Sequence, residues 1–181
     1  SSGNIKLEFM NLNLNELVQQ VNGEFAERFE GRNLDLICIL QPEPLLIRAD
    51  SRRIWRVLEN LYVNVCKYAM PGTRVYVDAI KKDGKIQLSI KNISENPLNF
   101  QADELTERFI RGDVSRSTEG SGLGLSIAKN LTVLQHGSFN IYLDGDLFKV
   151  TITFDEAVKE KKPMPPMIVP EAVQEEAQQD A

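Results

Sequence analysis

Between Val75 and Ile90 apolar and polar residues alternate on both sides of Lys81-Lys82-Asp83-Gly84, a period of two that gives an extended chain one apolar face. The charged, glycine-ended link can reverse the chain but cannot hold a crossover helix, so the two runs form an antiparallel hairpin. The same signature returns later, where Phe139 to Leu143 and Leu147 to Phe154 flank Asp144-Gly145-Asp146. Two such hairpins exclude an all-helical fold and argue against a doubly wound parallel sheet.

Helical periods occupy the remaining ordered stretches. Asn13 followed by Glu16 makes a capping-box-like start, and Leu14, Leu17, Val18, Val21, Phe25 and Phe29 then recur at helical spacing until Gly31, read as a stop. Leu34 to Leu40 and Leu45 to Ile47 read as a strand pair. Asp50 can cap a second helix whose stripe is Ile54, Leu58, Leu61 and Val65, ending before Pro71-Gly72. A third helix is expected from Leu123 through Ile127, Ala128, Leu131 and Leu134 to His136-Gly137, again with glycine as the stop. Residues 92 to 122 lose periodicity. The expected class is therefore α+β: a two-layer sandwich in which helices cover one face of a mixed, mostly antiparallel sheet.

Composition sets outer limits. With 181 residues, 42% hydrophobic and 26% charged, the chain is expected to form one folded domain. Ser1-Ser2-Gly3 reads as a cloning remnant, residues 4–154 as the domain, and 155–181 as a disordered tail. No apolar run approaches the roughly 20 residues of a membrane-spanning helix, and no leader pattern precedes the domain, so an unexported, soluble chain is expected. The net charge of -5 sits mostly in the tail, where seven acids face three lysines. The near-neutral body suits a compact anionic ligand and not a nucleic acid. Cys38, Cys66 and the single His136 share no ligand spacing, so a Cys/His zinc site is excluded and buried free thiols are expected.

Two constellations carry chemistry. On the second helix Asn60, Asn64, Lys67 and Tyr68 share a face, expected roughly opposite the apolar stripe. Asparagine is a poor interior helix residue. A solvated polar face is one explanation; the other is a set of amide oxygens for Mg²⁺ or its waters, with an ammonium and a phenol for phosphate. The second constellation, Gly120-Ser121-Gly122-Leu123-Gly124-Leu125, stands immediately before a helix, where backbone N–H groups favour anions. It is not a Walker loop, since no Gly-Lys-Ser/Thr follows, and it does not follow a strand as a Rossmann fingerprint must.

Together these pieces resemble the ATP-binding domain of sensor histidine kinases. Leu58 to Tyr68 resembles the N box, Gly120 to Leu125 with Ser126-Ile127-Ala128-Lys129 the second glycine box, and Glu107 to Asp113 with Ser115-Arg116 the phenylalanine box. The resemblance implies the Bergerat (GHKL) ATP-binding fold and, residue by residue, a set of roles. Asn64 would be the Mg²⁺ ligand, with Asn60, Lys67 and Tyr68 at the phosphates. Gly120, Gly122, Leu123 and Gly124 would offer backbone to them, Phe109 would order a lid, Arg111 would meet the γ-phosphate, and Arg116 is a further loop candidate. Asn60, Lys67 and Arg111 are the expected catalytic set.

One motif departs from the pattern. Where the family carries Asp-x-Gly-x-Gly, this chain reads Asn92-Ile93-Ser94-Glu95-Asn96-Pro97, which puts Asn92 in the place of the adenine-reading carboxylate. The implied function is a protein-histidine kinase catalytic domain. It would bind Mg²⁺-ATP and donate the γ-phosphoryl group to a histidine on a separate dimerisation domain, with a response regulator downstream. His136 beside Gly137 does not resemble that acceptor. The chain is expected to be a monomeric fragment, the cytoplasmic part of a membrane-anchored bacterial sensor. The alternatives are a degenerate nucleotide-binding or docking module of a sensor kinase, supported by the altered first glycine box, and another ATPase of the same fold, such as an anti-sigma-factor serine kinase.

Overall fold

The computed structural model describes residues 6–98 and 123–158. In chain order the elements are β1 (Phe9–Asn13), α1 (Leu14–Gly31), β2 (Asp35–Leu40), β3 (Leu46–Asp50), α2 (Ser51–Tyr68), β4 (Arg74–Lys82), β5 (Lys85–Ile93), α3 (Leu123–Leu134), β6 (Ser138–Asp144) and β7 (Leu147–Asp155). Five strands form one sheet in the order β2-β4-β5-β7-β6. β2 runs parallel to β4, and the remaining neighbours are antiparallel. Both hairpins form as the alternation requires, with Asp83, Gly84 and Gly145 at positive φ in their turns.

β2 and β3 do not pair. β3 instead joins β1, a strand unmarked in the sequence, in a separate two-stranded antiparallel sheet. Phe9-Met10-Asn11-Leu12-Asn13 is short and lacks strict alternation, so its pairing comes from tertiary context. β2 then finds β4, and Leu36, Cys38 and Leu40 sit in register with Val75, Val77 and Ala79.

Alternate side chains explain the two layers. Val75, Val77 and Ala79 of β4, Ile86, Leu88 and Ile90 of β5, and Val150, Ile152 and Phe154 of β7 are buried on one face. The buried face of α1 (Leu14, Val18, Val21, Phe25, Phe29) and that of α2 (Ile54, Leu58, Leu61, Val65) join them in one apolar cluster. Burying one such leucine or phenylalanine stabilises the fold by roughly 1.5–3 kcal/mol before entropy is counted.

Helix ends differ from the glycine-stop expectation. α1 includes Gly31; the left-handed residue past its end is Asn33 (φ 54), a role asparagine fills because its short side chain tolerates that region. α3 likewise ends with His136 at φ 68. Gly137 serves a different purpose: a Cβ there would lie 2.8 Å from the Phe154 ring and 2.9 Å from Thr132 Cγ2. The buried positions of α3 are also shifted from the expected set. Leu125, Ala128, Thr132 and Gln135 face the interior, whereas Leu134 is exposed. Asp155, expected in the tail, is the last residue of β7, and Glu156 bridges Ile47.

Candidate functional site

α2 supplies the first half of the site. Its start is fixed by Asp50, whose side chain accepts from the N–H groups of Arg52 (3.0 Å) and Arg53 (3.1 Å), and whose own N–H donates to Gln135 Oε1 at 2.9 Å. That last bond ties the start of α2 to the end of α3. The polar set does not stand opposite the apolar stripe as a solvated face would. Asn64 is 9% exposed, Asn60 and Tyr68 are half-buried, and Lys67 is exposed. By helical phase Asn60 and Asn64 lie roughly 100° from the centre of the stripe, on its flank. Burial pushes the Tyr68 phenol up from its ordinary value.

α3 packs along this flank. Gly124, its second residue, stands over Asn60: a Cβ there would be 3.9 Å from the Asn60 carbonyl oxygen and 4.0 Å from its Oδ1. The N-terminal turn of α3 is thereby brought beside Asn60 of α2, and the start of a helix is where anions are favoured. Leu123 opens α3. Gly120, Gly122, Phe109, Arg111 and Arg116 lie outside the described residues.

β5 supplies the second half. Along it Ile86, Leu88, Ile90 and Asn92 are successive residues of one face, so the apolar row ends in an amide that is 3% exposed. The β5 end is stitched to the C-terminal end of α2. Met70 N–H donates to Ile93 O and Glu95 N–H donates to Tyr68 O, both at 2.8 Å, and Ala69 bridges Ser94. Asn92 is thus held near the turn that carries Lys67 and Tyr68.

One buried side-chain atom on each of α2 and β5 is unpartnered among the described residues: Asn60 Nδ2 and Asn92 Oδ1. An unmet buried polar group costs on the order of 1–3 kcal/mol, so this donor and this acceptor are open to a polar ligand or water. Asn92 Oδ1 can accept from an amine, and Asn60 Nδ2 can donate to a phosphate or water oxygen. Among the described residues there is no group of three or more His, Cys, Asp or Glu side chains suited to a metal. A cation here would depend on amide oxygens and on oxygens brought by its ligand, which fits Mg²⁺ carried on a polyphosphate. A cleft of about 720 Å³ between α1 and α2 includes Trp55 and Ser51, but Trp55 lies roughly 140° around α2 from Asn60 and belongs to another surface.

Residues 49–158 match the family model described as histidine kinase-, DNA gyrase B-, and HSP90-like ATPase. The chain belongs to this ATPase family. The match runs from the end of β3 to just past β7 and so contains α2, Asn92 and α3. Among relatives, the signal transduction histidine-protein kinase BaeS of Escherichia coli is 31% identical over 123 residues, covering 67% of this chain and 26% of that protein. This GHKL chain therefore corresponds to about a quarter of that relative's length. Among solved structures, the nucleotide-free catalytic domain of histidine kinase ThkA superposes with a TM-score of 0.72 at 26% identity, covering 83% of this chain and 97% of that one. ThkA in complex with the response regulator protein TrrA gives 0.67 at 26% identity, covering 83% and 42%. The fold is the α+β sandwich of GHKL histidine kinase catalytic domains, as the motifs implied, and the catalytic ATPase domain of the sensor histidine kinases is present.

Position by position, the structure brings Asn60 together with Gly124 and sets the end of α2 against the end of β5. Sequence reading had no signal for Gln135, which is 1% exposed and holds the α2 N-terminus. It also had none for Arg32, which donates to Ala69 O at 3.0 Å beside the α2 C-terminus. Both make long-range side-chain bonds to backbone, which no local spacing announces. Among the described residues no helix is long and apolar enough to cross a membrane.

Proposed function

We propose that this domain binds Mg²⁺-ATP and donates the γ-phosphoryl group to a histidine of a separate dimerisation domain, from which it passes to a response regulator. The observation that carries the reading is the pair of unpartnered buried amide atoms, Asn60 Nδ2 and Asn92 Oδ1, beside α2 and the start of α3 in a histidine kinase-type ATPase domain. In this reading the catalytic domain runs from residue 4 through β7 and the Glu156 bridge, past the expected boundary at 154, an acidic tail follows, and the domain is the cytoplasmic part of a membrane-anchored sensor.

Transfer breaks the bond between the γ-phosphorus and the bridging oxygen, leaves ADP, and forms a phosphorus–nitrogen bond to the histidine. The domain's contribution is placement and charge neutralisation, with no covalent step on the protein. Asn64 would hold Mg²⁺ through its side-chain oxygen, and when bound the ion would offset the charge of the phosphate oxygens. Asn60 donates an N–H to a phosphate oxygen. Lys67 adds a positive charge at the phosphates and Tyr68 a hydroxyl and ring surface. Gly120, Gly122, Leu123 and Gly124 would offer backbone N–H groups to the phosphates, since the start of a helix favours anions. Phe109 and Arg111 would close over the nucleotide, with Arg111 at the γ-phosphate.

A docking module with little nucleotide affinity is the second reading, supported by the replaced first glycine box. Calorimetry separates the two. Mg²⁺-ATP is expected to bind wild type, and Asn64→Ala is expected to fold yet lose the Mg²⁺-dependent part of the affinity. Absence of heat and of thermal stabilisation at millimolar Mg²⁺-ATP would establish the docking module instead.

A further inference from the structure

The segment that replaces the first glycine box is unusually well tied down. Ser94, 5% exposed, donates its N–H to Asp146 O and its Oγ–H to Asn96 O, both at 2.7 Å. Glu95 N–H donates to Tyr68 O at 2.8 Å. A glycine-rich segment would spend backbone entropy to settle into one shape; here the β6–β7 turn, the end of α2 and one bond within the segment hold a glycine-free rim in place.

Arg32 is the side chain that spans this junction. It is the residue at the C-terminal end of α1, and one guanidinium nitrogen donates to Ala69 O at 3.0 Å and to Glu95 Oε2 at 3.4 Å. Ala69 caps α2 directly after Lys67 and Tyr68, and Glu95 lies three residues beyond Asn92. Arg32 thus links the backbone at the end of α2 to the Glu95 side chain just beyond Asn92. As a half-exposed ion pair the contact with Glu95 adds little stability by itself, and Arg32 Nε is buried without a partner among the described residues. A guanidinium kept under those terms is better explained by what it orders than by what it stabilises.

We infer that Arg32 is a positioning residue for the nucleotide base, fixing the Asn92–Glu95 rim against the end of α2 so that Asn92 Oδ1 meets an adenine amine without rearrangement. The inference rests on the nucleotide-binding reading above. Asn92 is neutral, and a neutral hydrogen bond is roughly half as strong as a charge-assisted one. Discrimination then depends more heavily on the acceptor being in place before the base arrives, since ordering at the moment of binding subtracts from affinity.

The test is calorimetric binding of Mg²⁺-ATP and Mg²⁺-GTP to the whole chain as wild type, Arg32→Ala, Arg32→Lys and Glu95→Ala. Wild-type binding of Mg²⁺-ATP tests the underlying reading; the variants test the inference. Arg32→Ala should weaken ATP on the order of 3- to 10-fold, the worth of one net hydrogen bond, while GTP changes less, so the ATP:GTP ratio falls. Arg32→Lys keeps one donor toward Ala69 O and should recover part of the ratio. Glu95→Ala, exposed and free of packing duty, should lower it in the same direction and stands in should Arg32→Ala fail to fold. An equal loss for both nucleotides, or none in folded variants of a wild type that binds ATP, would overturn the role of Arg32.

Discussion

Gly124 stands directly over Asn60, close enough that a Cβ would make ordinary contact with the Asn60 carbonyl oxygen at 3.9 Å and its Oδ1 at 4.0 Å. Among the described residues nothing forbids alanine at that position: no clash arises and Gly124 has no positive φ. Gly124→Ala should therefore fold and gain a few tenths to about 1 kcal/mol of helix stability. Its methyl would occupy the gap above Asn60, so Mg²⁺-ATP affinity should drop. Thermal melting and calorimetry on one sample check both halves. A variant that is more stable and binds unchanged would show that nucleotide does not approach this turn.

Gly137 makes the opposite prediction. Its missing Cβ is filled by the Phe154 ring at 2.8 Å and Thr132 at 2.9 Å, so Gly137→Ala must displace packed core atoms and should cost about 1–3 kcal/mol. His136 carries the left-handed φ and stacks on Phe9 with ring centroids 5.6 Å apart. His136→Gly exchanges that stacking for relief of the backbone and should stay within about 1 kcal/mol of wild type. Denaturant midpoints of the two variants decide which residue limits the α3 end; a silent Gly137→Ala would restore the simple glycine stop.

These helix ends show where sequence reading reaches and where it stops. Alternation at Val75 to Ile90 determined a hairpin because period two has one structural meaning, and the Ile54-Leu58-Leu61-Val65 stripe determined the buried side of α2 for the same reason. The N box and second glycine box were legible as motifs, and Asn60 and Gly124 are brought together. The β1–β3 pairing was not, because a five-residue strand beside a helix carries little local signal and is chosen by its partner. The shift in α3 arose because Thr132 and Gln135 are buried polar residues. Thr132 donates to Ala128 O at 2.7 Å and Gln135 Nε2 to Leu131 O at 2.9 Å; hydropathy counts both as surface.

Asp50 should make part of the stability depend on pH. Burial opposes its charge, but N–H donation from Glu8 at 2.8 Å and from Arg53 and Arg52, with the Arg53 guanidinium at 3.4 Å, outweighs burial and holds its carboxyl below the ordinary value. A depressed folded-state value contributes stability that is fully present above the unfolded carboxyl range near ~3.9 and is lost as pH falls through the folded value. Asp50→Asn keeps one acceptor for the helix cap but turns an amide toward Glu8 N–H, and should cost about 1–2 kcal/mol at neutral pH. Melting from pH 7 to pH 3 should show the gap between wild type and Asp50→Asn closing only below about pH 4. A constant gap across that window would mean the carboxylate charge is not what matters.

Asn92 is where the chain breaks its family's pattern, and its setting makes the consequence testable. It continues the row of Ile86, Leu88 and Ile90, so its side chain is directed into the protein, and its Oδ1 is buried without a partner among the described residues. An acceptor held there suits the exocyclic amine of adenine and not the oxygen that guanine carries at the same position. ATP should accordingly bind more tightly than GTP, with a smaller margin than a carboxylate would give. Asn92→Asp keeps the acceptor and adds charge, so it should preserve or tighten ATP binding. Asn92→Leu extends the apolar row but leaves the adenine amine unpaired, which should weaken ATP by about 1–3 kcal/mol. The Leu variant should also melt no lower than wild type, because it removes an unmet buried acceptor. Competition binding with ATP and GTP on the three proteins supplies the readout: equal affinities for both nucleotides throughout would show that Asn92 does not face the base.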